Sequence, residues 1–239
     1  MQLNFKRDVL PHLVGIAIFY AIVVVYFAPV VLQDQVITQG DILKWEGSAT
    51  EALDYREATG EEALWTNSVF GGMPAYFVSL EFAGDITTSL LSIITLGLPH
   101  PVNSLFLGMV AMYVLMLTFG VRPAFAIIAS VAFALSSYNL LSLAAGHNAK
   151  IWAINLIPVI LLGIHLAFEK KHLLGAAVMA LGLLLQLKFN HIQITYYTLI
   201  ISVIYVTVRL IFDWKKEGFP QLAKTIGFLV LGAILAVGG

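Results

Sequence analysis

The sequence predicts an all-α fold: a polytopic transmembrane helix bundle with one long extracytoplasmic loop. Hydrophobic residues make up 59% of the 239 positions and charged residues 11%, whereas a soluble domain is about 45–50% apolar and about 25% charged. The apolar residues form runs close to the ~20 positions that a helix needs to cross a bilayer. Because the chain has no cysteine, disulfides, thiolate nucleophiles and cysteine metal sites are excluded.

The first apolar run predicts a retained membrane span and not a cleaved signal peptide. Residues 13–32 contain no charged side chain, and this run is longer than the ~7–15 residues of a signal-peptide core. The chain then continues into Gln33-Asp34-Gln35, without a small-residue cleavage site.

About seven segments have the length and composition of membrane spans. They lie at about 11–32, 101–119, 123–139, 151–168, 173–188, 192–210 and 225–239. The last one reaches residue 239 without a polar stop. We therefore interpret residues 1–239 as the N-terminal part of a longer transmembrane domain, whose further spans and C-terminal region lie beyond them.

The distribution of lysine and arginine predicts a cytoplasmic N-terminus. With that orientation, nine of the thirteen basic residues fall on the cytoplasmic side and four outside, which is the bias that membrane proteins show. Ten of the fourteen acidic residues lie between Asp34 and Asp85. The loop formed by residues 33–100 is therefore predicted to be extracytoplasmic.

The extracytoplasmic loop is predicted to carry short helices. Ser48 and Glu51 match a capping box, in which the serine caps the helix and the glutamate follows three residues later. This pattern predicts a helix of about 49–58 that stops near Gly60.

A second helix is predicted after Asp85, where apolar residues recur on one side until Gly97, as in a helix that lies in the membrane interface. Between the two helices, the segment 64–76 contains Gly71-Gly72, which permits positive φ angles. Two interpretations of this segment stay open: a tight turn packed on the membrane surface, or a loop that borders a substrate groove.

Asp41 is the acidic residue that we single out, because it lies about nine positions beyond the first span. A carboxylate close to lipid has a raised pKa unless it is paired, and such a group suits a general base or a metal ligand. The alternative is an aspartate that only forms a turn after Gly40.

Two further short loops on the same side of the membrane each combine an imidazole, an amide and a basic residue close to a helix end. The first loop carries His147, Asn148 and Lys150, and the second carries Lys188, Asn190, His191 and Gln193. Lysine can neutralise a phosphate, and a protonated histidine can donate to one. Each histidine alone could instead be a residue of the membrane interface. The sequence has no nucleotide-binding or metalloprotease motif, and no nucleic-acid partner is expected.

The motifs at these positions resemble the YfhO family of bacterial membrane proteins. The resemblance is carried by Gly40-Asp41-Ile42, Leu64-Trp65-Thr66-Asn67-Ser68, Phe70-Gly71-Gly72-Met73-Pro74-Ala75-Tyr76, Ala145-Gly146-His147-Asn148 and Asn190-His191-Ile192-Gln193. Members of that family are considerably longer, and the family is similar to GT-C-type glycosyltransferases.

The resemblance implies a bacterial inner (plasma) membrane enzyme with a GT-C-like fold. It would transfer a sugar from a polyprenyl-phosphate donor to an envelope glycopolymer, lipid or protein acceptor. Asp41 would be the base or the ligand of a divalent metal ion, with Asp34, Glu46 and Asp54 as candidates for a second acid.

The other candidate residues would bind substrate in this reading. His147, Lys150 and His191 would lie near the donor phosphate, with the amides Asn148, Asn190 and Gln193 beside them. Trp65, Asn67 and Tyr76 would border the sugar or the acceptor. A transporter or flippase of lipid-linked or small polar substrates, and a non-catalytic envelope-assembly protein, are the alternative functions.

Overall fold

The protein is all-α, as predicted, in a computed structural model that describes residues 4–79 and 85–238. Within these residues, strand structure is limited to β1 (Trp65–Thr66) and β2 (Met73–Pro74), which pair antiparallel. A π-helical turn at Phe5–Val9 leads into the first helix, and a short 3₁₀ turn follows β2 at Ala75–Phe77.

Ten α-helices follow one another in the described residues. They are α1 (Leu10–Tyr26), α2 (Ala28–Leu32), α3 (Gly40–Thr59), α4 (Ile86–Ile94), α5 (Asn103–Thr118), α6 (Pro123–Ala134), α7 (Ser137–Ala145), α8 (Asn148–Phe168), α9 (His172–Lys188) and α10 (Ile192–Gly238). Helix α8 occupies the centre, since it contacts α5, α7, α9 and α10. The loop between the first two predicted spans holds α3, both strands and α4.

Three stretches of the described chain are long and apolar enough to cross a membrane: Pro123–Ala145, Asn148–Phe168 and Ile192–Gly238. Three more apolar helices, α1, α5 and α9, have 16 or 17 residues. The chain therefore has the helices of a membrane protein, but fewer of full length than the seven predicted segments. All seven of these segments are mainly helical in the described residues, with interruptions at Phe27 and at residues 135–136.

Two features account for part of this difference. The first predicted span is interrupted at Phe27, so that α1 and α2 are separate helices. In contrast, the sixth and seventh predicted spans are the two segments of α10, which has 47 residues. The segments meet at a kink at Gly218, whose φ of 74° and ψ of 164° are not helical.

The predicted start of the first loop helix is wrong. Helix α3 begins at Gly40, and Ser48 is an interior residue whose hydroxyl donates to the Lys44 carbonyl oxygen at 2.9 Å. Ser48 and Glu51 therefore match the capping-box pattern without capping the helix. The predicted end is confirmed, because α3 stops at Gly60, whose φ is +73°.

The second loop helix is confirmed. Asp85 is the N-cap of α4, and its carboxylate accepts from the Thr87 backbone N–H at 2.9 Å. The helix ends before Gly97, which has a φ of +71°. Its Ile86 and Ile93 are exposed whereas Leu91 is buried, as expected of a helix that lies on a surface and packs with one side.

Three histidines away from the loop join helices to each other. The imidazole of His12 contacts the Tyr113 hydroxyl at 2.9 Å, and that of His165 contacts the Tyr205 hydroxyl at 2.8 Å. His172 lies 2.9 Å from the Gln221 side chain. Polar contacts of this kind hold helices together where water is scarce.

Helices α8 and α9 approach each other at two glycines. A Cβ at Gly163 would lie 2.3 Å from the Met179 backbone nitrogen, and a Cβ at Gly175 would lie 2.4 Å from the Ala167 nitrogen. Small residues at such crossings let helix backbones pack in contact.

We predict that Gly163→Ala lowers the free energy of unfolding by about 1–3 kcal/mol, because backbone atoms of α9 must move away from the added methyl group. Thermal unfolding in detergent measures the effect. The matched control is Gly227→Ala, where the added Cβ meets no atom within 4 Å. Equal midpoints for both variants would show that the α8–α9 crossing is not close.

Candidate functional site

Four charged or titratable side chains form a chain of hydrogen bonds between α3 and the start of α8. Asp41 lies in the first turn of α3, and its Oδ2 is 2.6 Å from Nε2 of His147. The second imidazole nitrogen, Nδ1, lies 3.0 Å from Nζ of Lys150. On the other side, Lys44 donates to Asp41 Oδ1 at 3.2 Å. We call Lys44, Asp41, His147 and Lys150 the relay cluster.

A glycine allows the two segments to meet. Gly146 ends α7 with a φ of +97°, and a Cβ there would lie 3.1 Å from Gln39 Cβ and 3.2 Å from the Ile42 nitrogen. Any larger residue would be strained by the backbone conformation and crowded by α3. The turn at Gly146 therefore presents His147 directly to Asp41.

An amide pair holds this approach in place. Gln39, only 6% exposed, donates to Asn148 Oδ1 at 3.0 Å, and Asn148 donates back to Gln39 Oε1 at 3.1 Å. The Gln39 amide also donates to the Leu143 carbonyl oxygen at 2.5 Å. Asn148, predicted to bind substrate, thus uses its side chain to fix the N-terminus of α3.

The environment of Asp41 favours the ionised carboxylate. The hydrogen bond from Lys44, followed by that from His147, lowers the pKa of Asp41 below its ordinary value. The carboxylate side chain is 40% exposed, so burial does not dominate, and its place in the first turn of a helix also favours a negative charge. Asp41 is therefore an anion at neutral pH, and its two oxygens act as hydrogen-bond acceptors.

A cavity of about 690 Å³ opens beside Asp41. Its wall is largely apolar, with Val30, Ile37 and Ile42 among its members, and Asp34 contributes a second carboxylate. Of the three acids considered as a partner for Asp41, Asp34 is the one that shares this cavity.

The donor set at Asp41 does not fit a divalent metal ion. In the ranges 4–79 and 85–238, no group of three or more histidine and acidic side chains is arranged to hold one. Mg²⁺ and Ca²⁺ require several oxygen ligands, whereas the neighbours of Asp41 are an ammonium group and an imidazole. Metal chemistry at Asp41 is not supported by these neighbours.

The second histidine loop lies close enough to the relay cluster for a charge of the cluster to affect the pKa of His191. Burial lowers the pKa of His191, and the charge of Lys150 lowers it further. Its Nδ1 is buried and has no hydrogen-bond partner among the described residues. His191 is therefore a neutral imidazole that can bind a further polar group.

The other two residues of that loop have local roles. Asn190 ends α9 in the left-handed conformation, with a φ of +52°, and its backbone N–H donates to the Leu187 carbonyl oxygen at 2.9 Å. Gln193 donates to the Tyr197 hydroxyl at 2.8 Å, one helical turn away. These contacts explain both residues without a substrate.

The glycine-rich loop folds on itself and not around Asp41. Trp65 pairs with Pro74 across the two strands, and its indole lies over Gly72, where an added Cβ would be 2.8 Å from Nε1. Among the described residues, Trp65, Asn67 and Tyr76 do not line the cavity at Asp41. The arrangement agrees with the interpretation of this segment as a tight turn.

Glu51 of α3 organises that turn. Its carboxylate accepts hydrogen bonds from the Thr66 hydroxyl at 2.7 Å, the Asn67 backbone N–H at 2.7 Å and the Ser68 hydroxyl at 2.9 Å. The hydrogen bond from Thr66, then that from the Asn67 backbone, lowers the pKa of Glu51 to about 2.

Three residues of the site escaped prediction: Gln39, Lys44 and Trp45. Trp45 lines the cavity and donates from its indole to the Val78 carbonyl oxygen at 2.6 Å. Their spacing from Asp41 on one helix would have revealed Lys44 and Trp45, since residues three and four apart share a face. The late predicted start of α3 concealed that relation.

Lys188, the lysine of the second histidine loop, binds the start of α4. Its ammonium donates to Asp85 Oδ2 at 2.5 Å and also to the Thr87 hydroxyl. The pKa of Asp85 is lowered as a result, chiefly by the hydrogen bond from Lys188. This contact anchors the N-terminus of α4 to the end of α9.

Comparison with protein families, curated proteins and solved structures found no match to this chain. The site is thus defined by its own geometry: an ionised carboxylate, an imidazole and two ammonium groups beside an open, mainly apolar cavity.

We predict that Glu51→Gln releases the 66–68 turn, because a neutral amide accepts these hydrogen bonds more weakly than a carboxylate. Hydrogen exchange at the Asn67 and Ser68 amides should accelerate. Glu57→Gln, an exposed position on the same helix, serves as the control and should exchange like wild type. Unchanged protection in the Glu51 variant would contradict the prediction.

The same contact makes the turn sensitive to acid. Because the pKa of Glu51 falls from 4.5 to about 2 on folding, its stabilising contribution is present above pH ~4.5 and is lost as the pH falls towards ~2. Protection of the turn, corrected for intrinsic exchange rates, should decline over this window in wild type and not in Glu51→Gln. Equal pH profiles would contradict the assignment.

Proposed function

We propose that this chain forms the catalytic part of a membrane glycosyltransferase, which transfers a sugar from a polyprenyl-phosphate donor to an extracytoplasmic envelope acceptor. The single observation that carries the proposal is the 2.6 Å contact between Asp41 and His147 beside an open cavity. The motif resemblance to the YfhO family supports it.

The proposed reaction requires a base and a site for a departing phosphate. The ionised Asp41 carboxylate accepts the proton of an acceptor hydroxyl as the hydroxyl oxygen bonds to the anomeric carbon. The bond between that carbon and the donor phosphate oxygen breaks, and polyprenyl phosphate leaves with the bonding electrons. The proton remains on Asp41 until solvent removes it.

The lysines around Asp41 suit the leaving group. Lys44 has a side chain that is 81% exposed, so it can turn towards a phosphate at the cavity mouth without breaking a buried contact. Lys150 adds a second ammonium group, and His191 offers a neutral imidazole close to it. Positive charge near the phosphate oxygens stabilises the charge that develops as the bond breaks.

An apolar groove suits the isoprenoid chain of such a donor. It has a volume of about 610 Å³ and is lined by α8, α9 and both segments of α10. Ile192, which directly follows His191 in the chain, and Tyr196, about one helical turn further on, are among its lining residues. A lipid-linked phosphate at His191 could therefore extend its chain into this groove.

The proposal includes the orientation in the membrane. We place the N-terminus in the cytoplasm, about seven spans in the bilayer of the bacterial plasma membrane, and residues 33–100 outside. The bias of lysine and arginine supports the orientation, and the helical state of each apolar segment supports the span count.

We predict that Asp41→Asn in the full-length protein reduces transfer from a polyprenyl-phosphate sugar by about 10²–10⁴-fold, because an amide cannot accept the proton. Radiolabelled product formation in proteoliposomes measures the effect. Glu57→Gln, at an exposed acid of the same helix, is the matched control and should retain wild-type transfer.

Full transfer by a well-folded Asp41→Asn variant would remove Asp41 from the mechanism. Movement of a substrate across the membrane without any covalent product would favour the transporter. If the wild type shows neither activity, the envelope-assembly role becomes the better account.

The absence of cysteine allows a direct test of orientation. We predict that Glu61→Cys reacts with a membrane-impermeant maleimide in intact spheroplasts, since Glu61 is exposed on the outer loop. Lys216→Cys, at a side chain that is 79% exposed, should react only after the membrane is permeabilised. The reverse labelling pattern would contradict the proposed orientation.

A further inference from the structure

His147 is held between two groups of opposite chemistry. Its Nδ1 faces the Lys150 ammonium at 3.0 Å, and its Nε2 faces the Asp41 carboxylate at 2.6 Å. Both ring nitrogens are thus engaged within the protein, and neither is free for a phosphate. His147 can still lie near a donor phosphate, as predicted, but its ring nitrogens bind protein groups.

The two partners determine where the ring proton lies. An ammonium group has three donors and no acceptor, so Nδ1 must offer it a lone pair. An ionised carboxylate only accepts, so Nε2 must carry the proton. This combination is satisfied by the neutral tautomer that is protonated on Nε2, because the hydrogen bond at one nitrogen sets the state of the other.

We infer that Lys150 locks His147 as an Nε2–H donor and that His147 is a positioning residue for Asp41. The carboxylate oxygen Oδ2 is engaged by this short bond, whereas Oδ1 accepts from the exposed Lys44, so Oδ1 becomes the oxygen that meets the acceptor hydroxyl. Only this last consequence depends on the proposed function; the tautomer does not.

The surroundings keep Lys150 in place. Lys150 lies three residues after His147, and its Nζ is 5.5 Å from the centroid of the Tyr138 ring, a distance at which a cation is attracted to an aromatic face. The amide pair between Gln39 and Asn148 holds the first turn of α8 against α3. These contacts therefore keep the Lys150 ammonium next to His147 Nδ1.

Oxygen Oδ1 has the more exposed partner of the two carboxylate oxygens. That partner, Lys44, is 81% exposed and lies one turn along α3, so it can leave for a phosphate when a substrate enters. His147 is 40% exposed and is bonded at both ring nitrogens. The asymmetry leaves Oδ1 as the oxygen that can exchange its partner for a substrate hydroxyl.

Nitrogen-15 spectra of the imidazoles test the tautomer without any substrate. The full-length protein, labelled on histidine and placed in lipid nanodiscs, is compared with His147→Gln to assign the His147 signals. At neutral pH we expect the two-bond proton–nitrogen pattern of the Nε2–H tautomer. A ring protonated on Nδ1 alone, or on both nitrogens, overturns the inference.

Variants of Lys150 test whether this lysine fixes the tautomer of His147. In Lys150→Met the Nδ1 lone pair loses its donor, so the ring is no longer fixed as the Nε2–H tautomer, which should change both nitrogen signals. Lys150→Arg keeps a donor and should retain the wild-type pattern, while Lys171→Met, at an exposed position away from the site, is the control. An unchanged spectrum in Lys150→Met overturns the lock.

Transfer rates test the positioning role separately. A glutamine at 147 can accept from Lys150 and donate to Asp41, but it cannot carry a proton between them. His147→Gln should therefore keep transfer within about tenfold of wild type, while His147→Leu should lose about 10–100-fold, the usual effect of an outer-shell partner. Equal losses in both variants would overturn the positioning role.

These measurements also separate this inference from the proposed function. The spectra require no sugar donor, so their outcome does not depend on transferase activity. If the wild-type tautomer is as expected and no transfer is found, the proposed function fails alone. If transfer is found and the tautomer differs, the inference fails alone.

Discussion

The close approach of α3 to the turn before α8 is the contact on which the rest of the site depends. Gly146 makes it possible, because it has the positive φ of the turn and leaves room for Gln39 and Ile42. The buried amide pair between Gln39 and Asn148 then fixes it. Without this contact, Asp41 would be an ordinary surface acid at the start of a loop helix.

The fold could be predicted well where apolar runs define it. Residues 173–188 were expected as a helix and α9 is His172–Lys188, because a long apolar run next to polar residues leaves few alternatives. The start of α3 could not be predicted. Its first turn depends on Gln39, whose partners lie more than 100 positions away in the chain, and local residue preferences contain no trace of that contact.

The site was predictable in part for similar reasons. Asp41, His147 and Lys150 stood out as polar residues at one side of the membrane, and the structure brings them into direct contact. Their mutual geometry was not predictable. Asn67 illustrates the opposite case, since it belongs to a distinctive motif but binds Glu51 within the loop. A motif identifies distinctive residues. Their contacts in the structure then show whether these residues stabilise the loop or lie beside a cavity.

The most direct test of this account is a distance between the two sides of the site. Because the chain has no cysteine, Thr38→Cys and Ala149→Cys, two exposed positions next to the amide pair, can be combined and treated with a short thiol cross-linker in membranes. The account predicts efficient formation of the cross-linked peptide, identified by mass spectrometry, and none for Thr38→Cys combined with Lys216→Cys. No cross-link between positions 38 and 149, in a protein whose cysteines both react singly, would contradict the shared site.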